Sequence, residues 1–164
     1  MPDSLVEVMF AVPGDLGSPT GGYAYDRRLM ELLPSYGIEA RHVELPGTFP
    51  HPTANDLETT EQLLASSPKN ARLMIDGLAY GALPTELIAR LDRRIIALVH
   101  HPLSLEAGLS VARQTALKLS ETNALKLARH VIVTSDLTRR TLLCDFGVPD
   151  SVITVAEPGT DPAP

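Results

Sequence analysis

The stretch Arg94–Ser135, RIIALVHHPLSLEAGLSVARQTALKLSETNALKLARHVIVTS, decides the fold. It opens on Arg94–His100 (RIIALVH) and closes on His130–Thr134 (HVIVT). Both are short continuous apolar runs, the signature of strands buried on both faces of a parallel sheet. Between them the apolar positions 105, 109, 112, 116 and 119 step by four and three, which predicts a long helix from Leu105 ending near Ala128.

The same alternation extends both ways. Leu5–Val12 is a strand-like run with the single charge Glu7, followed by a Gly-, Ser- and Pro-rich loop from Gly14 to Gly22. A helix carrying Tyr25, Leu29, Leu32, Leu33 and Tyr36 should end near Pro34–Gly37, and Ile38–Leu45 should form a second strand. Pro46–Pro52 is a loop, and Asn55 or Asp56 could cap a helix to about Ser66 with Leu57, Leu63 and Leu64 inward. Arg72–Asp76 is a short strand ended by Gly77, and Pro84–Leu91 a short helix. Asp136–Phe146 is a helix closed by Gly147-Val148-Pro149, and Ser151–Val155 a sixth strand. Six alternations without a hairpin signal predict an α/β fold: a Rossmann-like doubly wound parallel sheet of about six strands in three αβα layers. Residues 1–156 form that domain, and 157–164 begin a Pro-rich linker.

The chain has 164 residues, fourteen Lys and Arg against twenty Asp and Glu, and a formal net charge of -6. That balance argues against a nucleic-acid surface, which needs clustered cations. One cysteine, Cys144, excludes an internal disulfide and a cysteine-rich metal site, and its place on a helix suggests core packing. No apolar run is long enough to span a membrane and no secretory pattern opens the chain, which fits a cytoplasmic protein.

In open parallel sheets ligands sit beyond the carboxyl ends of the strands. The residues to weigh are therefore the glycines after the first strand, Asp76, His100 with His101, Ser135 and Glu157. The loop PGDLGSPTGGY has no G-x-G-x-x-G register. Gly17 and Gly22 have P-loop spacing, but Tyr23 stands where the lysine belongs. Gly21 and Gly22 at a helix start could still bring backbone amides to an anion, or simply make a tight turn. Adjacent histidines on a strand face opposite ways, which disfavours a two-histidine metal site. Glu106 stands as a carboxylate at the start of the long helix, Glu121 as a solvated or ion-paired charge, and the arginine pairs 27-28, 93-94 and 139-140 as surface charge.

Four segments in order resemble the N-terminal half of a group 1 retaining glycosyltransferase of GT-B architecture. They are TGGYAYDRRLMELL, ALVHHPLSLEAG, ETNALKLARHVIVTS and VAEPGTD. The resemblance implies the acceptor-binding domain of an enzyme that moves a sugar from a nucleotide-sugar donor with retention. Gly21 and Gly22 would lie under the donor diphosphate, and His100 would be the catalytic residue near the donor sugar. Tyr23, His101, Glu106 and Ser135 would contribute to the acceptor site. His101 replaces a frequent Asp and Glu157 a small or apolar residue. No metal or other cofactor is implied, and the acceptor is unknown. The family's phosphate-binding Arg and Lys and its paired Glu belong to a donor domain absent from this chain, so the chain alone should be inactive. Membrane contact would be peripheral at most. The alternatives are a stand-alone flavodoxin-like module for a nucleotide or flavin, which a faint echo of a flavin phosphate loop at Ser18–Gly21 keeps open, and a non-catalytic partner subunit.

Overall fold

The computed structural model describes residues 6–160; Leu5 and the tail 161–164 lie outside them. Six strands form one all-parallel sheet: β1 (Val6–Pro13), β2 (Ile38–Leu45), β3 (Arg72–Asp76), β4 (Ile95–Val99), β5 (His130–Val133) and β6 (Ile153–Val155). Their order is β2-β1-β3-β4-β5-β6. Chain progression reverses at the β1/β3 junction, and in open parallel sheets ligands bind at the carboxyl ends of the strands beside such a reversal. The helices are α1 (Gly21–Leu32), α2 (Ala54–Ala65), α3 (Gly77–Tyr80), α4 (Thr85–Leu91), α5 (Val111–Leu125) and α6 (Asp136–Phe146). This is the predicted three-layer Rossmann-like α/β architecture.

The strand pleat sorts side chains into two cores. On one face Leu73, Ile75, Ile95, Ala97, Val99, Val131 and Val133 pack with buried residues of α2 through α6. On the other Val8, Phe10, Val12, Met74 and Leu98 pack beneath Tyr23, Tyr25, Leu29 and Met30 of α1. Among the described residues no helix is long and apolar enough to cross a membrane.

Local chemistry sets the boundaries. Thr20 caps α1 by accepting from the Tyr23 amide, and α1 tightens into a 3₁₀ turn at Leu33–Tyr36 before Gly37 at φ 73°. Thr53, rather than Asn55 or Asp56, caps α2 in a reciprocal capping box with Asp56. Gly77 begins α3 instead of merely ending β3, with Asp76 accepting from the Leu78 amide. Its missing side chain lets the turn lie on β4, since a Cβ there would sit 3.0 Å from the Leu98 carbonyl oxygen. Ser151 and Val152 belong to a 3₁₀ turn before β6 rather than to the strand.

The largest departure is at the long helix. Leu103–Leu105 is a 3₁₀ turn, Gly108 has φ 81°, and α5 starts only after the Ser110 cap. Its buried positions are Leu117, Glu121, Ala124 and Leu125, whereas Leu105 and Leu119 are exposed. Leucines at 105 and 119 suggested the wrong stripe, because the true one contains a carboxylate. Cys144 is likewise exposed rather than core, standing two residues beyond the buried Leu142. Arg27 and Arg93 are staples rather than loose surface charge. The first donates to the carbonyls of Leu16 and Ser18, the second to those of Ser67, Pro68 and Ala71.

Candidate functional site

Three of the strand-end positions converge at the β1/β3 junction. His100 follows β4 directly, so its side chain is free of the strand alternation that would have separated it from its neighbours. The His100 Nε2–H donates to Asp26 Oδ1 at 2.9 Å and stands 3.6 Å from Asp76 Oδ2. Tyr25 meets the imidazole edge-on, with ring centres 5.3 Å apart. Gly22 lies flat against the same ring; a Cβ there would be 3.4 Å from His100 Cδ2. Packing does not demand the glycine pair: a Cβ on Gly22 would make an ordinary contact with the imidazole, and one on Gly21 would meet nothing within 4 Å.

Both carboxylates are out of water, Asp26 at 0% and Asp76 at 3% exposure. Burial first, and then the Asp26 charge, push the Asp76 carboxyl up to about 7, against the opposing pull of His100 and the Leu78 amide. Burial disfavours imidazolium at His100, but the hydrogen bond to Asp26 and the two carboxylate charges outweigh it, so its pKa is raised. A hydrogen bond between Asp76 and Asp26 requires one of them to hold a proton. One proton held between the two carboxyls would leave a single negative charge facing an imidazole whose proton affinity is raised. The same three side chains are spaced closely enough to enclose a cation, their ligand atoms within 4.8 Å of one another. A retained proton meets the same electrostatic demand without an ion. Asp26 Oδ2 is the buried oxygen in the cluster that has no donor unless a carboxyl proton supplies one.

A groove of about 330 Å³ runs beside this cluster, lined by Gly21, Tyr25, Leu29, Glu157 and Gly159 among others. The Tyr25 hydroxyl donates to the Ala156 carbonyl at 2.8 Å and so ties α1 to the segment leaving β6. A hollow of about 470 Å³ lies at the opposite edge around Lys69 and Arg72. It contains none of the residues at the strands' carboxyl ends.

The other predicted site residues are placed as follows. Tyr23 packs on the sheet and its hydroxyl donates to the Pro13 carbonyl at 2.5 Å. Ser135 caps α6 by accepting from the Thr138 amide, and Thr138 in turn donates to the His100 carbonyl at 3.3 Å. His101 is exposed. Glu106 lies in an exposed loop five residues before α5, not at its start.

Two residues escaped the sequence reading. Asp26 lies three residues after Tyr23 and four before Met30, so a charge inside an apolar stripe was its visible signal. Glu121 is 1% exposed rather than solvated, and its Oε2 accepts from the Leu103 amide at 2.9 Å. It also accepts from the Ser104 amide, and burial raises its carboxyl to about 7. Glu121 therefore anchors the loop that leaves the histidine pair. The chain matches no family model and no curated protein.

Proposed function

We propose that this chain is the acceptor-side half of a retaining, GT-B-type glycosyltransferase, with His100 addressing the sugar of a nucleotide-sugar donor. The observation that supports it most is the contact between His100 and Gly22. It sets an imidazole, oriented by Asp26, beside the amino end of α1 at the sheet's topological switch point.

The residues divide the work by chemistry. The first-turn amides of Gly21 and Gly22 point out of the helix and favour negative charge, so they suit the donor diphosphate. Against the cost of burial, Asp26 and Asp76 raise the proton affinity of His100, so its imidazole can offer a proton to the leaving group as the glycosidic bond breaks. Glu157 and Gly159 border the groove beside α1. One helix end and one imidazole make an incomplete diphosphate site, so binding by this chain is weak and transfer needs further cations from a donor-side domain. The structure offers no direct contact for the acceptor through Tyr23 or Ser135 hydroxyls, which are already engaged. The acceptor reading therefore rests on the groove and on His101.

The strand order β2-β1-β3-β4-β5 favours one second reading, a flavodoxin-like module for flavin mononucleotide. Calorimetric titration separates the two readings. Uridine and guanosine diphosphate sugars should bind in the millimolar range, and Gly22→Val, which pushes His100 off the helix, should weaken them at least tenfold. Micromolar binding of flavin mononucleotide, or nucleotide-sugar binding indifferent to Gly22→Val, would overturn the proposal.

A further inference from the structure

Most of the eleven arginines in this acidic chain are engaged. Arg28, Arg41, Arg90, Arg139 and Arg140 pair with carboxylates, Arg27 and Arg93 clasp loop carbonyls, and Arg113 reaches Pro50 and His51. The remaining three, Arg72, Arg94 and Arg129, have no side-chain partner among the described residues. All three line one open cavity of about 450 Å³ at the amino edge of the sheet, together with His130 and Ser151. No carboxylate lines it, and the acids Glu7 and Asp92 line the adjoining hollow that Arg72 and Arg94 also border.

The fold brings them together. Leu73 pairs with Ile95 and Ile96 with His130, so Arg72 and Arg94 stand side by side one step before the paired region, and Arg129 one step before His130. Arg72, Arg94 and His130 share the face of Met74, Ile96 and Ile132 by strand alternation. The Arg129 amide donates to the Ile95 carbonyl, which fixes the backbone between two of the guanidiniums. His130 is oriented by a 2.8 Å hydrogen bond to Thr154 Oγ1.

Three guanidiniums around one hollow repel one another unless an anion sits between them. Their planar forks match the oxygens of a phosphate, and Ser151 adds a hydroxyl donor. We infer that this cavity is a binding site for a phosphate-bearing ligand, separate from the carboxyl-edge cluster around His100. A soluble phosphorylated compound and a lipid phosphate headgroup present the same chemistry, and the experiment distinguishes them.

The probes are inorganic pyrophosphate, followed by calorimetry and ³¹P NMR at low salt, and vesicles of phosphatidylglycerol with phosphatidylcholine, followed by sedimentation. Submillimolar pyrophosphate binding is expected to weaken at least tenfold in Arg94→Gln and in Arg72→Gln, and to stay unchanged in Arg90→Gln, whose partner Glu61 lies elsewhere. Without ligand, Arg94→Gln should melt no lower than the parent chain, because it removes repulsion rather than a contact. Vesicle binding that is lost in the same two variants, without pyrophosphate binding, would assign the site to a headgroup. The proposal is overturned if neither probe binds, or if binding survives in both variants. Loss of nucleotide-sugar binding at the other edge would leave this result untouched.

Discussion

Unfolding free energy should fall by about 5 kcal/mol as pH rises from 5 to 8. Three groups act in one direction. Asp76 is raised from 3.8 to about 7, Glu121 from 4.5 to about 7, and His100 is raised above 6.5. Each holds its proton in the folded state at a pH where the unfolded chain has released it. The stability this gives is complete below the unfolded value and disappears as pH climbs through the folded value. Asp56 and Glu61 are shifted the other way, so their contributions fade only on acidification. Both lie at the surface, partly exposed, and their effect is small. The stability maximum is therefore expected below pH 5. Asp76→Asn keeps an oxygen for the Leu78 amide and removes a titrating group, so it should stabilise the chain at pH 8 and flatten the profile. Urea unfolding at several pH values measures this. A stability that is constant or rises from pH 5 to 8 would contradict the assigned protonation.

Glu121→Ala should cost about 3–4 kcal/mol, while Glu121→Gln should cost under 1 kcal/mol at pH 5. The carboxyl is buried and accepts from the amides of Leu103 and Ser104. Truncation leaves two donors unpaired and opens a void beside Gly81, whose absent side chain lets Glu121 approach so closely; a Cβ there would sit 3.0 Å from Glu121 Cγ. Glutamine retains an acceptor of the same shape and is neutral, as the protonated acid is. Because this loop continues from His100 and His101, Glu121→Ala should also broaden the His100 side-chain NMR signals, and Glu121→Gln should restore them. Equal losses in the two variants would mean that volume, not acceptance by the carboxyl, holds the loop.

The parallel sheet was legible because its strands are continuous apolar runs. Ile38–Leu45, Arg72–Asp76 and Asp136–Phe146 stand in the structure with the predicted bounds. Periodicity failed where burial is not apolar. In α5 the inward stripe includes Glu121, and counting leucines placed the helix six residues early and left Glu121 in solvent. The cluster was half visible. Asp76 and His100 follow from strand ends and the switch-point rule. Asp26 does not, because a helical aspartate reveals its burial only once the histidine it meets is placed 74 residues further on.

Backbone amide mapping by NMR during titration with a uridine diphosphate sugar tests the clamp at the carboxyl edge most directly. The expected result is a set of shifts confined to Gly21, Gly22, His100, His101 and the groove residues Glu157 and Gly159. Shifts centred on Arg72, Arg94 and Arg129, with Gly22 and His100 unmoved at saturating ligand, would contradict it.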